Sequence, residues 1–165
     1  MMMEAEARGP ETEILVERLL DAPRALVWKV WSEPQHLAAW WGPEGFTTRV
    51  LEHDFRPGGQ WRYVMTGPDG RDYPVLGTFR EIDPPARIVT TDDFDEGFEV
   101  PGVPELPRGL ITTVLFEEQG DKTALTARVS LPTLEDRRRL VEMGWLDGWH
   151  SSLDCLSAHL RAVQG

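Results

Sequence analysis

The sequence predicts an α+β domain, a curved antiparallel sheet covered on one face by helices. Three observations carry this. Runs rich in Val, Ile, Thr, Phe and Trp fill the middle of the chain, punctuated by short Gly/Pro/Asp turns. Helical apolar spacing is confined to residues 23–41 and 133–163. The chain has 165 residues, 41% apolar and 27% charged, enough for one packed domain and short for two. Strands grouped together and helices set apart from them are the mark of the α+β class.

The elements follow in order. Residues 1–11 are polar, contain Gly9-Pro10, and read as a flexible tail, which leaves 12–163 as a single domain. Ile14-Leu15-Val16 and Leu19-Leu20 predict a strand over Thr12 to Leu20. Asp21 reads as the N-cap of a helix with Pro23 in its first turn, and Val27, Trp28 and Trp31 share one face of it. Pro34 restarts a second short helix, which Gly42-Pro43-Glu44-Gly45 stops after Trp41.

Six strands are then predicted: Phe46 to Phe55, Gln60 to Thr66, Asp72 to Ile82, Arg87 to Phe94, Gly109 to Phe116 and Thr123 to Leu131. The turns between them carry residues that supply a positive or a preset φ. One connection differs. Asp95 to Arg108 holds Pro101, Pro104 and Pro107, which excludes a central strand. Thr133 with an acid three residues on predicts an N-cap, and the helix it opens is expected to run to about Val163. Trp145, Trp149, Leu153, Leu156 and Leu160 form its apolar stripe, and Gly144, Gly148 and Ser152 form a second stripe of small residues. Two glycines inside a helix cost about 1 kcal/mol each against Ala, so close approach to the sheet or room for a ligand must offset them.

Composition narrows function. Net charge is −11, which argues against nucleic acid and against an anionic membrane surface, because both need clustered Lys and Arg. Arg137-Arg138-Arg139 is the one basic cluster, and Glu135, Asp136 and Glu142 flank it. The single cysteine, Cys155, forms no internal disulfide and fits a reducing, cytoplasmic setting. Met1 to Glu13 carries acids and no apolar core of a signal peptide, and no apolar run approaches the ~20 residues of a membrane span.

Catalytic motifs are scarce. The nucleophile elbow, the dinucleotide glycine pattern, the phosphate-binding loop and the zinc-protease motif are absent. Cys155 and His159 share a helix face but supply two metal ligands at most. His53 and Asp54 are adjacent in a strand and point to opposite faces. Either Asp92 or Asp93 must face the sheet interior, where a buried carboxylate would titrate high and could serve as a base; a solvated strand end is the plainer reading. Arg62 could recognise a ligand carboxylate, although a solvent-facing sheet charge is the plainer reading. No catalytic residue, metal or cofactor is therefore assigned; a non-enzymatic role is favoured, and an enzyme acting on a pocket-bound substrate stays open.

The seven tryptophans are more informative. Trp40 and Trp41 end the second helix, Trp61 and Tyr63 line one strand face, and Trp145 and Trp149 lie one turn apart on the last helix. Rings from three elements converging on a gap between sheet and helix would make an apolar cavity. Phe79, Thr112, Val114 and Leu153 complete the candidate ligand-binding set. The expected partner is a hydrophobic or aromatic small molecule.

The chain also resembles a known family. Asp21-Ala22-Pro23 with Val27-Trp28, then Trp40-Trp41-Gly42-Pro43, then Asp54-Phe55-Arg56-Pro57-Gly58-Gly59-Gln60-Trp61 carry the resemblance. So do Gly77-Thr78-Phe79, Ile82-Asp83-Pro84-Pro85-Ala86-Arg87-Ile88, and Gly148-Trp149-His150-Ser151-Ser152-Leu153-Asp154. Their order is similar to that of the activator-of-heat-shock-protein-90-ATPase-like family, within the SRPBCC (START-like, helix-grip) superfamily. The resemblance implies a β-α-α-β6-α helix-grip fold, with a long C-terminal helix over a deep pocket. It leaves function open among ligand binding, a co-chaperone or regulatory role, and a cyclase or hydrolase using a pocket acid or base. In that fold Asp95 to Arg108 reads as a lid over the pocket mouth or a dimer contact. A homodimer and a chaperone or other protein partner stay open.

Overall fold

The computed structural model describes residues 10–94 and 108–165. The expected tail, apart from a 3-10 turn over Pro10–Thr12, lies outside the described residues, as does all of the proline-rich connection except Arg108.

Strand β1, Glu13–Leu20, opens the sheet. Helices α1, Arg24–Ser32, and α2, Pro34–Trp40, follow. Strands β2, Thr47–His53, β3, Gln60–Thr66, and β4, Asp72–Asp83, come next. Then come β5, Arg87–Phe94, β6, Leu110–Gln119, and β7, Lys122–Ser130. The chain ends in α3, Leu134–Glu142, and α4, Trp145–Gln164. All seven strands form one antiparallel sheet in the order β1-β7-β6-β5-β4-β3-β2. The α+β class and the helix-grip arrangement of the sequence reading are those observed.

Alternation decides which face is inner. Leu125, Ala127 and Val129 of β7 are almost fully buried, and Ile14, Val16 and Leu20 of β1 join them across the ladder. Leu110, Thr112, Val114 and Phe116 extend the same face along β6. Register breaks at Val50/Glu52 and Phe79/Glu81 add local twist and help curve the sheet around this face.

Two local expectations need correction. Asp21 does not cap α1. Pro23 occupies that position with extended φ and ψ of −67° and 149°, and its carbonyl accepts from the N–H groups of Leu26 and Val27. The proline lies at the helix boundary rather than within the first turn. The C-terminal helix is also two helices. Thr133 caps α3 as expected, its hydroxyl accepting from the Asp136 N–H at 3.1 Å. The helix then ends, because Gly144 adopts φ +86°, a left-handed conformation that any side chain would strain. Only Gly148 of the two glycines lies inside a helix.

Helix α4 is tied down by its later turns. Leu153, Leu156 and Leu160 enter the core. Arg18 of β1 pairs with Asp154 at 2.9 Å, and the Gln164 amide donates to the Asp21 carbonyl at 3.1 Å. The first turns of α4 have a different underside, which is the site.

Candidate ligand cavity

Between the inner face of β3–β6 and the start of α4 lies a cavity of about 270 Å³. An apolar cavity of about 150 Å³ accommodates benzene, so this one has room for a two-ring guest. Its floor comes from alternate residues of four strands. Trp61, Tyr63 and Met65 come from β3, Tyr73 and Val75 from β4, Ile88, Thr90 and Asp92 from β5, and Leu110, Thr112 and Val114 from β6. Trp145, Gly148, Trp149 and Ser152 of α4 form the roof. Trp31 of α1 and the segment Trp41 to Phe46 supply a side wall. That wall is fixed: the Thr48 hydroxyl donates to the Trp41 carbonyl at 2.6 Å, and the Glu44 N–H donates to the Ser151 hydroxyl at 2.8 Å.

The aromatic lining is a connected lattice. Trp41 meets Trp61, Trp149 and Tyr63 edge-on at centroid distances of 5.1, 5.8 and 5.9 Å. Trp31 stacks near Trp149 at 6.5 Å. Such contacts hold rings in place as well as burying them. The indole Nε1–H of Trp61 is buried and has no acceptor among the described residues.

Of the ten sequence-assigned positions, Trp41, Trp61, Tyr63, Thr112, Val114, Trp145 and Trp149 border the cavity. Trp40, Phe79 and Leu153 do not. Trp40 turns into the core, donating its indole N–H to the Val30 carbonyl at 2.9 Å. Phe79 shares the inner face but lies farther along the curved sheet, where Phe55 and His53 cover it at 5.1 and 5.6 Å. Leu153 is fully buried one helical turn after Trp149. Trp31, Phe46, Thr90 and Gly148 line the cavity without having been singled out as ligand contacts.

Asp92 is the charged feature of the floor. Of the two adjacent acids it is the one that faces inward, held by the Thr90 hydroxyl at 3.0 Å. Asp93 is exposed at the rim and accepts from the Gly109 N–H at 3.3 Å. Asp92 lies in a cross-strand row Trp61–Gly77–Asp92–Leu110. Gly77 makes the space: a Cβ there would come 2.8 Å from Asp92 Oδ1. Loss of solvation pushes the Asp92 carboxyl up to about 6, against the pull of hydrogen bonds from Thr112 and Thr90, with Asp93 adding repulsion. The Tyr63 hydroxyl is pushed up from its usual value by burial and by Asp92, so it stays protonated.

The other weighed candidates fall elsewhere. The His53 ring packs on Phe55, its Nε2 lies 2.8 Å from the Ser32 carbonyl, and it does not line the cavity. Arg62 is exposed. His159 pairs across helices with His36 at 3.0 Å rather than with Cys155, a contact that sequence separation hid. Among the described residues no group of three or more His, Cys, Asp or Glu could hold a metal ion. Nor, among them, is any helix long and apolar enough to cross a membrane.

The model of one family, described as activator of Hsp90 ATPase homolog 1-like protein, matches residues 21–161. The chain belongs to that family. A Mycobacterium smegmatis protein of solved structure is 27% identical, with 93% of each chain covered and a TM-score of 0.81. One from Arthrobacter aurescens is 29% identical over 92% of this chain and 87% of its own, at a TM-score of 0.83. One from Nitrosomonas europaea is 26% identical over 94% and 98%, at 0.78. No curated protein matches the chain.

Proposed function

We propose that this member of the activator of Hsp90 ATPase homolog 1-like family binds a compact hydrophobic or aromatic small molecule between its sheet and α4. The observation that carries the reading is a cavity of about 270 Å³ walled by Trp41 and the three aromatic residues packed against it, Trp61, Tyr63 and Trp149. Transfer of apolar surface from water stabilises a bound guest by roughly 25 cal/mol per Å², and the rigid rings lose little freedom on contact. The candidate contacts are the seven sequence-assigned residues that border the cavity, with Trp31, Phe46 and Gly148.

Native mass spectrometry of freshly purified protein should reveal a co-purifying organic molecule, or a set of aromatic probes should quench tryptophan fluorescence saturably. Trp149→Ala removes one wall and part of the roof. It should weaken probe binding at least tenfold in protein that still unfolds cooperatively. No mass adduct, together with no saturable quenching by one- or two-ring probes, would defeat the reading.

A further inference from the structure

The cavity has one charge sign. Among the described residues lining it, Asp92 and Asp93 are the charged ones, and no Lys, Arg or His is present. Asp92 is accommodated at the expense of a side chain at Gly77, and its Oδ2 accepts from Thr90. The cross-strand partner that follows Gly77 in the same row is Trp61, so the carboxylate and an indole belong to one strip of floor. Trp41, Tyr63 and Trp149 complete an aromatic wall around the same space. A carboxylate and several aromatic rings lining one cavity make a receptor for an organic ammonium ion: the rings attract the cation through their quadrupoles and the acid supplies the counter-charge.

From the aromatic wall, the inward carboxylate of Asp92 and the lack of lining bases, we infer that the cavity selects an aromatic or aliphatic ammonium over neutral and anionic molecules of the same shape. This rests on the binding role proposed above and names its ligand class. An anionic guest would meet repulsion from Asp92 in a poorly solvated site. A neutral guest would leave the carboxylate with only its threonine donors. A protonated amine neutralises it and keeps its own apolar body among the rings. The protein's net charge of −11 favours cation approach as well.

The test uses three two-ring probes of matched size: 2-(1-naphthyl)ethylammonium, 2-(1-naphthyl)ethanol and 1-naphthylacetate. Calorimetry at pH 7.5 should give at least tenfold tighter binding of the amine than of the alcohol, with the acetate weakest. Asp92→Asn keeps the shape of the side chain and should bring amine and alcohol within about threefold of each other. Wild-type protein gives a second measurement that needs no variant. Amine affinity should fall as the pH is lowered through about 6, where Asp92 protonates, while alcohol affinity stays flat. Asp93, Tyr63 and Tyr73 are the other titratable groups lining the site, and burial together with Asp92 keeps the Tyr63 hydroxyl protonated. Equal amine and alcohol affinities in wild type, tighter acetate binding, or a preference that survives Asp92→Asn would overturn the ammonium assignment and leave hydrophobic binding intact. Failure of all three probes to bind would overturn the ammonium assignment, and with no co-purifying mass adduct the binding role as well.

Discussion

Asp92 shows how burying one carboxyl carries a cost that grows with pH. Its carboxyl titrates near 6 in the fold against 3.8 as a free group. Below 3.8 both folded and unfolded chains hold the proton, so pH has no effect through this residue. Between those values the fold holds the proton more tightly than the unfolded chain does. Stability therefore falls as pH rises through this window, and the whole cost is present above 6. The gap is worth at most about 3 kcal/mol, less where cavity water reaches the carboxylate. Asp92→Asn should thus gain on wild type with rising pH, by about 1–3 kcal/mol between pH 3.5 and pH 8. Urea unfolding of both proteins across that range measures it, and parallel curves would refute the assigned burial. Alternation made one member of the Asp92–Asp93 pair face inward, but could not say which. Register to Gly77 decides it, and register is a property of the sheet rather than of the strand.

At the level of elements, the two glycines of the small-residue stripe separate into opposite roles. Gly144 sits at φ +86° with open space around it, so its constraint is backbone conformation. Gly148 is in regular helix, and an added Cβ would meet only Pro43 Cγ at 3.9 Å, an ordinary contact. Gly144→Ala should destabilise by about 1–2 kcal/mol, the cost of a left-handed L-residue. Gly148→Ala should stabilise by up to about 1 kcal/mol through helix propensity, while its methyl takes volume from the cavity roof and weakens two-ring probes. Thermal melts and calorimetry of the two variants check both signs; a destabilised Gly148→Ala would mean the roof is tighter than described. Spacing alone placed both glycines on one helix face, because periodicity does not register a left-handed residue. The strands were more legible. Gln60 to Thr66 and Arg87 to Phe94 fall at the expected bounds, since Gly-Gly, Gly-Pro and Pro-Pro turns punctuate them sharply. Trp61 and Tyr63 were readable as one inner face for the same reason. Phe79 and Trp40 were not placed correctly because a face is periodic, whereas the reach of the covering helix depends on sheet curvature and helix docking.

Across the whole molecule, α4 does two jobs along one axis. Its later turns close the core, pair with β1 through Arg18–Asp154, and reach the residue just after β1 through the Gln164–Asp21 hydrogen bond. Its first turns, Trp145 to Ser152, roof the cavity over β3–β6. A guest there bridges helix and sheet where protein contacts leave space, so binding should appear as added stability of the entire fold. At a free ligand concentration one hundred times Kd the gain is about 2.7 kcal/mol. For a chain of this length each kcal/mol raises Tm by roughly 2–4 °C, giving about 5–10 °C. The distribution should be uneven. Amides from Trp149 to Ser152 that exchange by local opening should gain protection beyond this global increment. Those after Leu156, already held by the buried Leu160 and by the Gln164–Asp21 hydrogen bond, should gain only the global part. Hydrogen exchange with and without the naphthyl amine resolves the two halves of α4. Uniform protection along the helix would place the guest outside the cavity, because a ligand elsewhere stabilises the fold without touching the roof.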